Sequence, residues 1–378
     1  MSSLYLHIPY CLRKCAYCDF FSTAAQTSVP LAEYVELLLL ELDLLKQRFP
    51  ELAPLTTIFF GGGTPSLLSA EQVAQLLQQI DQAFEIAADC EISLEANPGT
   101  LTAEKLAGYR RAGVNRLSLG VQTLAAAQLN RLGRMHSADE ARQAVTMARA
   151  AGFNNLNLDL IFALPLQTLE ELSRDVGGLL ALQPDHLSLY GLSFEPGTPL
   201  HSRLRSGDLQ EPGEDFYADS YLLIDRQLTS AGFEHYEVSN FARPGYRCQH
   251  NQVYWQRQDC LALGCGAHGF STAGWGERWH IPPDLSSYRE KLRAGKEVAE
   301  PVENFTRQQA MAETLYLALR TRDGLSRDRF RAAFGAAPED EFSAAFARCK
   351  PYLECQADRW RFNLQGWLLY DHLISHFF

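Results

Sequence analysis

The chain has 378 residues, a formal net charge of −11 and 46% apolar residues. This length suits a barrel-sized domain with an appendage, and the composition is ordinary for a soluble globular protein. The negative charge argues against extensive binding to nucleic-acid backbones, which needs basic patches. Nine cysteines are too sparse for a disulfide scaffold, and no apolar leader precedes the first of them. We therefore expect a cytoplasmic protein with reduced thiols.

The first predicted element is a strand at residues 4–8, and a loop with three cysteines follows it. Cys11, Cys15 and Cys18 have the spacing Cys-x3-Cys-x2-Cys. Three thiolates can hold three irons of a [4Fe–4S] cluster, and without a fourth nearby cysteine one iron stays open to another ligand. The alternatives are a zinc site or incidental buried cysteines, but structural zinc uses four ligands in paired knuckles. The spacing favours a cluster at which chemistry occurs.

Up to about residue 231, short apolar runs alternate with amphipathic stretches. The predicted strands lie at 4–8, 57–60, 91–96, 116–121, 156–162 and 186–194. The predicted helices lie near 32–48, 70–86, 103–112, 138–151, 168–182 and 214–231. This alternation predicts an α/β fold with parallel strands and right-handed crossovers. Six units favour a partial (β/α)6 barrel over an open dinucleotide-binding fold.

Unusual residues occur where the predicted strands end, which is where such barrels carry function. The sequence Gly-Gly-Gly at 61–63, with Thr64, follows the second strand, and Glu95 closes the third. Gln122 ends the fourth strand, and Asp159 lies within the fifth. The glycines make either a tight turn or a place where a ligand approaches the backbone closely.

Two charged residues near these strand ends each have two interpretations. Glu95 could accept the two hydrogen bonds of a ribose diol, or it could cap the following turn as a surface carboxylate. Arg134 could hold a carboxylate through a bidentate fork, or it could be an ordinary arginine on a helix surface.

The sequence changes at about residue 232, where glycines and aromatic residues become frequent. Within residues 248–255, His250 or Cys248 could ligate a heme iron while Tyr254 and Trp255 pack on the macrocycle. Alternatively, the aromatic rings seal the barrel and His250 only satisfies a buried hydrogen bond, which chemistry alone favours. His268, between two glycines, is a second heme candidate on the same grounds.

The remainder of the chain, from about 286 to 378, is polar and rich in helix signals. A short strand-like stretch near its end gives it the pattern of a small winged-helix domain. We therefore predict three parts: a barrel at 1–235, a barrel-closing segment at 236–285, and a mostly helical C-terminal domain at 286–378.

Taken together, these motifs resemble the radical S-adenosylmethionine (SAM) superfamily, and within it the family of oxygen-independent coproporphyrinogen III oxidase. The matching features are Cys-x3-Cys-x-Tyr-Cys, the glycine loop, Glu95, Gly-Val-Gln at 120–122 and Asn-Leu-Asp-Leu at 157–160. The resemblance spans nearly the whole chain. It implies that the open iron chelates SAM, which reduction cleaves to a 5′-deoxyadenosyl radical.

The resemblance also implies residue roles. Tyr5, Gly62 and Glu95 would contact the cluster-bound SAM. The positions that match a second SAM in the oxidase are Tyr17, Gly63, Thr64, Gln122, Arg134 and Asp159.

Two departures from the oxidase pattern resemble a heme-chaperone branch instead. Phe20 stands where the oxidase has a fourth cysteine, and only a short segment precedes Leu4. His-Asn-x-x-Tyr-Trp at 250–255 also matches that branch. The resemblance then implies heme as a third cofactor, with His250 tentatively its ligand. It implies apo-hemoproteins as partners, including respiratory enzymes at the membrane surface.

Two alternatives remain open. One is a true oxidase that decarboxylates two propionates of coproporphyrinogen III, and the other is a radical SAM reaction on an unknown small substrate. Whether the protein turns over a substrate is therefore left undecided by the sequence.

Overall fold

The computed structural model describes residues 2–24 and 28–378, and a twelve-stranded sheet forms its framework. Six parallel strands stand in sequence order at the centre of this sheet. They are β1 (Ser2–Ile8), β2 (Leu55–Gly62), β3 (Ile86–Ala96), β4 (Arg116–Gln122), β5 (Leu156–Phe162) and β6 (His186–Gly191). The predicted α/β fold with parallel strands is confirmed. The sixth strand ends at Gly191, three residues before its predicted end.

The helices of this region are α1 (Leu31–Arg48), α2 (Ala70–Phe84), α3 (Ala103–Ala112), α4 (Ala126–Leu132), α5 (Ala138–Ala150), α6 (Leu169–Ala181), α7 (Pro199–Arg205) and α8 (Glu214–Ser230). Six of them match predicted helices to within two residues, whereas the short α4 and α7 were not predicted. Helix α2 begins with a reciprocal capping box between Ser69 and Gln72, and α5 begins with one between Ser137 and Glu140. These caps satisfy backbone N–H groups that a helix start would otherwise leave unpaired.

Later parts of the chain extend the sheet at both edges. The added strands are β7 (Glu234–Glu237), β8 (Asn240–Ala242), β9 (Cys260–Leu263), β10 (His268–Ser271), β11 (Glu277–His280) and β12 (Glu300–Asn304). Strand β8 pairs antiparallel with β6, and β7 follows it at that edge. Strand β9 pairs parallel with β1, and β10 to β12 continue from it as antiparallel strands.

Strand β1 shows how the sheet separates its two faces. Leu4, Leu6 and Ile8 are fully buried, while Tyr5 lines the cavity described below. Successive side chains of a strand point to opposite faces. The leucine side of β1 therefore belongs to the core, and the Tyr5 side faces the concave surface.

The remaining helices are α9 (Gln249–Trp255), α10 (Leu285–Arg293), α11 (Arg307–Leu319), α12 (Arg327–Phe334), α13 (Pro338–Glu341), α14 (Ser343–Cys349), α15 (Leu364–Leu368) and α16 (Tyr370–Ile374). Three short strands accompany them: β13 (Leu325–Ser326), β14 (Leu353–Gln356) and β15 (Arg359–Phe362). They form an antiparallel sheet in the order β13-β15-β14, as in the predicted winged-helix pattern. The division into three parts at 235 and 285 stays a prediction. In the described part of the chain, no helix is long and apolar enough to cross a bilayer.

Candidate functional site

A cavity of about 660 Å³ opens at the carboxyl ends of the parallel strands. The residues predicted from the sequence to hold the cluster and SAM all line it, and so does the heme candidate His250. They are Tyr5, Cys11, Cys15, Tyr17, Cys18, Gly62, Gly63, Thr64, Glu95, Gln122, Arg134, Asp159 and His250. Parallel strands bring their carboxyl ends to the same edge, which is why residues so distant in sequence meet there.

The cysteine loop is closed at its base by a short parallel pairing of Tyr10–Cys11 with Thr23–Ala24. Its three cysteines are half-buried and form no disulfide. The Sγ of Cys11 accepts a hydrogen bond of 3.4 Å from the Thr64 hydroxyl, and the Sγ of Cys15 accepts one of 3.5 Å from Arg134 Nη1. Both donors therefore lie beside sulfur atoms that are predicted to ligate iron.

This donor set fits a [4Fe–4S] cluster. Three thiols face one cavity, and each can ligate a separate iron of a cube. Among the described residues, no three His, Cys, Asp or Glu side chains converge closely enough to hold a single metal ion. A cube spreads its thiolates over several irons, so both observations are compatible with the predicted cluster.

The glycine loop at the end of β2 is required by the packing of β1. A Cβ atom at Gly61 would lie 2.7 Å from the Tyr5 ring, and one at Gly62 would lie 2.7 Å from the His7 ring. At Gly63, a Cβ would lie 2.8 Å from the backbone oxygen of Tyr10. Gly62 also has a φ of +107°, which side chains rarely adopt. The tight-turn interpretation therefore has direct support, and close approach of a ligand stays a prediction.

Glu95 lies opposite this loop and accepts a hydrogen bond of 3.2 Å from the Gly62 N–H. Burial raises the pKa of Glu95 to about 8, and the Asp159 charge acts in the same direction. The Gly62 N–H and the Arg116 charge oppose the shift. Glu95 therefore projects into the cavity and does not cap a surface turn.

Asp159 and Arg134 form the charged side of the cavity. Burial raises the pKa of Asp159 to about 6, against a hydrogen bond of 2.6 Å from the Asn157 amide and the charges of Arg116 and Arg134. The Arg134 guanidinium donates a hydrogen bond of 2.6 Å to the Gly120 carbonyl, in addition to the one that it donates to the Cys15 sulfur. It lies beyond the end of α4, so it is not the helix-surface arginine of the alternative interpretation.

At the end of β4, Gln122 has a φ of +70°, a strained geometry that often occurs at functional sites.

Sequence analysis missed Arg116, which is 2% exposed and lines the cavity behind Asp159. Its charge opposes the raised pKa of both cavity carboxyl groups. The polar residues Arg116, Ser118 and Gln122 alternate with buried Leu117, Leu119 and Val121 along β4. That period of two was the available signal for a polar face turned towards the cavity.

His250 lines the cavity but is only 1% exposed. Its Nδ1 lies 2.8 Å from the Thr57 hydroxyl and its Nε2 lies 2.9 Å from the Tyr254 hydroxyl. The ring also stacks on Phe59 at 5.1 Å. Burial lowers the pKa of His250 to about 3, with Arg116 contributing, so the ring is neutral. To ligate an iron, it would have to give up one of these hydrogen bonds.

Glu91, which sequence analysis also missed as a site residue, fixes the helix that carries His250. Its carboxylate accepts hydrogen bonds from the backbone N–H groups of Gln249 and His250 at 3.0 and 3.1 Å. A carboxylate at a helix start satisfies unpaired donors and interacts favourably with the helix dipole. The second heme candidate, His268, lies on β10 and is exposed.

Models of two protein families match separate parts of the sequence. Residues 5–176 match the radical SAM superfamily, and residues 305–369 match the HemN C-terminal domain.

Relatives with a named function match most of the chain. The heme chaperone HemW of Haemophilus influenzae is 44% identical over 278 residues, which are 73% of this chain and 72% of the relative. The heme chaperone HemW of Escherichia coli (strain K12) is 45% identical over 267 residues, 71% of this chain and 69% of the relative. A heme chaperone HemW of Mycobacterium tuberculosis is 38% identical over 98% of this chain and 93% of its own length.

Among solved structures, the coproporphyrinogen III oxidase HemN from Escherichia coli has a TM-score of 0.84. The superposition covers 100% of this chain and 89% of the oxidase, at 23% sequence identity. The TM-score shows that the two proteins share a fold.

Proposed function

The chain belongs to the heme chaperone HemW family of radical SAM proteins, and we propose on that premise that it binds heme and delivers it to apo-hemoproteins. The observation that carries this proposal is the likeness to proteins named as heme chaperones along most of the chain. The likeness to the oxidase extends only to the fold. Respiratory enzymes at the membrane surface are the recipients to test first.

Membership of the radical SAM superfamily implies a [4Fe–4S] cluster and SAM. We propose that Cys11, Cys15 and Cys18 hold the cluster, because their half-buried thiols face the cavity. When bound, this cluster supplies an electron and an open coordination position. The Arg134 guanidinium, 3.5 Å from the Cys15 sulfur, would place a positive charge beside the anionic cluster.

We assign SAM to the remaining predicted residues of the cavity. In this proposal the Glu95 carboxylate accepts hydrogen bonds from the ribose hydroxyls, and Tyr5 and Gly62 border the same space. The residues that match a second SAM line the same cavity. They are Tyr17, Gly63, Thr64, Gln122, Arg134 and Asp159.

The role of His250 as heme ligand stays a prediction. The two hydrogen bonds to its ring support the structural alternative. A variant in which His250 is replaced distinguishes these roles, as set out in the Discussion.

The proposal is tested by loading the cluster anaerobically, titrating heme, and then adding an apo-hemoprotein such as an apo-cytochrome b. We expect saturable heme binding and transfer of the Soret absorption to the recipient. Heme binding that cannot be detected, in a protein shown to hold its cluster, would overturn the proposal.

The oxidase alternative is decided in a parallel reaction. The cluster-loaded protein is given SAM, a reductant and coproporphyrinogen III, and the porphyrin products are quantified after oxidation. We expect no protoporphyrinogen. Its formation over several turnovers would identify an oxidase instead.

A further inference from the structure

A chain of polar side chains runs from Asp159 into the interior of the sheet. Asn157 and Asp159 lie two residues apart on β5 and therefore share one face of the strand. His186 of β6 is level with Asn157 in the strand register, so it lies on the same face. Asn157 is 1% exposed and lines the cavity, whereas His186 is fully buried. The register thus joins a buried histidine to the wall of the proposed SAM site.

The donor and the acceptor in the first two hydrogen bonds of this chain follow from Asp159. With a pKa of about 6, Asp159 is mostly ionised at pH 7, and a carboxylate only accepts hydrogen bonds. The Asn157 atom that lies 2.6 Å from Asp159 Oδ1 is therefore the amide nitrogen. The Asn157 oxygen is then an acceptor, so His186 Nδ1, which lies 2.6 Å from this oxygen, carries a proton.

His186 is neutral, which makes its other nitrogen an acceptor. Burial lowers the pKa of His186 well below its usual range, and the charge of Arg116 acts in the same direction. A neutral imidazole with a proton on Nδ1 accepts a hydrogen bond at Nε2. The Tyr236 hydroxyl lies 2.7 Å from Nε2 and is its donor, because burial raises the pKa of Tyr236 and keeps this hydroxyl protonated.

The chain ends at the segment that carries His250. The Tyr236 oxygen accepts a hydrogen bond of 3.4 Å from the backbone N–H of Cys248, the residue directly before α9. All the hydrogen bonds therefore run in one direction, from this N–H to the Asp159 carboxylate. Hydrogen bonds that are aligned in this way polarise and strengthen one another.

We propose that His186 is a positioning residue of the SAM site, which in its Nδ1–H tautomer orients the Asn157 amide and thereby holds the Asp159 carboxylate towards its ligand. This inference rests on the proposed function, because that function assigns Asp159 to SAM. Asp159 and His186 hold the amide from its two ends. Without the Nδ1 donor, the Asn157 oxygen keeps only the bond of 3.2 Å from the Ser188 hydroxyl, so Asn157 and Asp159 gain freedom to move.

Two substitutions of His186 separate its two contacts. The amide nitrogen of His186→Asn lies close to the position of Nδ1 and keeps a donor for Asn157. The longer side chain of His186→Gln reaches the position of Nε2, so it keeps a partner for the Tyr236 hydroxyl and leaves Asn157 without its donor. Both variants bury a side-chain amide, and each is therefore the matched control of the other.

The test is an anaerobic calorimetric titration of the cluster-loaded protein with SAM, for the wild type and both variants. Asp159→Asn is titrated as well, because it identifies the binding that depends on Asp159. We expect His186→Gln to weaken this binding at least about fivefold and His186→Asn to stay within about twofold of the wild type. Denaturant unfolding of the same variants measures the structural contribution of His186 separately.

A purely structural role of His186 predicts a different order. The smaller side chain of His186→Asn leaves a cavity and loses the contact with Tyr236, so it should then be the more damaging change. Equal SAM affinities of the two variants, or weaker binding by His186→Asn, would overturn the inference. If Asp159→Asn bound SAM like the wild type, the assignment of Asp159 would fall together with the inference. A wild type that binds no SAM would instead overturn the SAM assignment of the proposed function.

The tautomer of His186 is also measured directly. In protein with ¹⁵N-labelled histidine, the resonances that are missing from His186→Asn identify the His186 ring. Their chemical shifts show which ring nitrogen carries the proton. We expect the proton on Nδ1, and a proton on Nε2 would overturn the inference whatever the SAM affinities are.

Discussion

Two walls of the same cavity differ in what their polar atoms do. The cluster wall consists of Cys11, Cys15, Cys18 and Arg134, and the aromatic wall consists of Tyr5, Phe59, His250 and Tyr254. On the cluster wall, two of the thiols accept one long hydrogen bond each. On the aromatic wall, the Tyr5 hydroxyl lies 3.1 Å from His7 Nδ1, and the His250 ring is bonded at both nitrogens.

This difference distinguishes side chains that can still bind a ligand from side chains whose polar atoms already bind other protein groups. Lone pairs on the cluster wall are available because few protein donors reach them. The polar atoms of the aromatic wall already form hydrogen bonds within the protein, and these bonds stabilise the protein without a ligand. Residues that line the same cavity can thus have opposite roles, and hydrogen-bond partners distinguish them better than position does.

The largest effect should follow a change on the cluster wall. Replacing Cys15 with serine should abolish nearly all bound iron after anaerobic reconstitution, because a hydroxyl is a poor ligand for a cubane iron. Iron analysis and the visible absorption of the cluster measure this. The matched control is Cys355→Ser, which changes an exposed cysteine of the tail. Full iron content in Cys15→Ser would remove this residue from the cluster.

A change on the aromatic wall should affect stability instead. Replacing His250 with phenylalanine removes two buried hydrogen bonds and leaves the Thr57 and Tyr254 hydroxyls without this partner. We expect the free energy of unfolding to fall by about 1–3 kcal/mol, with iron content unchanged. Denaturant unfolding measures this. Unchanged stability with lost heme binding would make His250 a ligand and would break the distinction between the walls.

A smaller effect should appear in the binding of SAM at different pH values. With a pKa of about 8, Glu95 is mostly protonated at pH 7 and becomes ionised towards pH 9. A carboxylate accepts ribose hydrogen bonds better than the neutral acid, so SAM affinity should rise over this range, by less than about tenfold. In Glu95→Gln the profile should be flatter. Identical profiles would show that Glu95 does not contact SAM.

The ionisation of Glu95 should also affect the stability of the protein without SAM. The pKa of Glu95 is raised on folding, so its neutral form contributes stability below the unfolded pKa, and this is lost as pH rises through about 8. We expect the free energy of unfolding to decline more steeply with pH in the wild type than in Glu95→Gln between pH 5 and 8. If the free energies of unfolding of the two proteins changed in parallel with pH, a group other than Glu95 would be responsible for the decline.

Local signals predicted much of the fold. The pairs Ser69 with Gln72 and Ser137 with Glu140 marked helix starts, because a capping box involves residues only three apart. Strand β9 was missed, since Cys-Leu-Ala-Leu is too short to show a period and its pairing with β1 bridges more than 250 residues.

The residues of the candidate site also differ in whether local sequence could predict them. Side chains placed by a strand end, such as Glu95 and Asp159, could be anticipated from sequence order alone. The role of Arg116 depends on which carboxyl groups surround it, and the role of His250 depends on Thr57, almost two hundred residues away. Such contacts leave no trace in a local pattern. The left-handed backbone of Gln122 was equally invisible, because that residue type rarely adopts it.

The pairing of β1 with β9 also orders events during synthesis. Strand β1 leads into the cysteine loop, yet one of its two neighbouring strands, β9, ends at Leu263. The ribosome must therefore have synthesised the chain as far as Leu263 before β1 can be flanked on both sides. Until then β1 lacks its neighbour β9, and the cysteine loop follows a strand that is paired on one side only. Iron insertion should accordingly come after synthesis has passed Leu263.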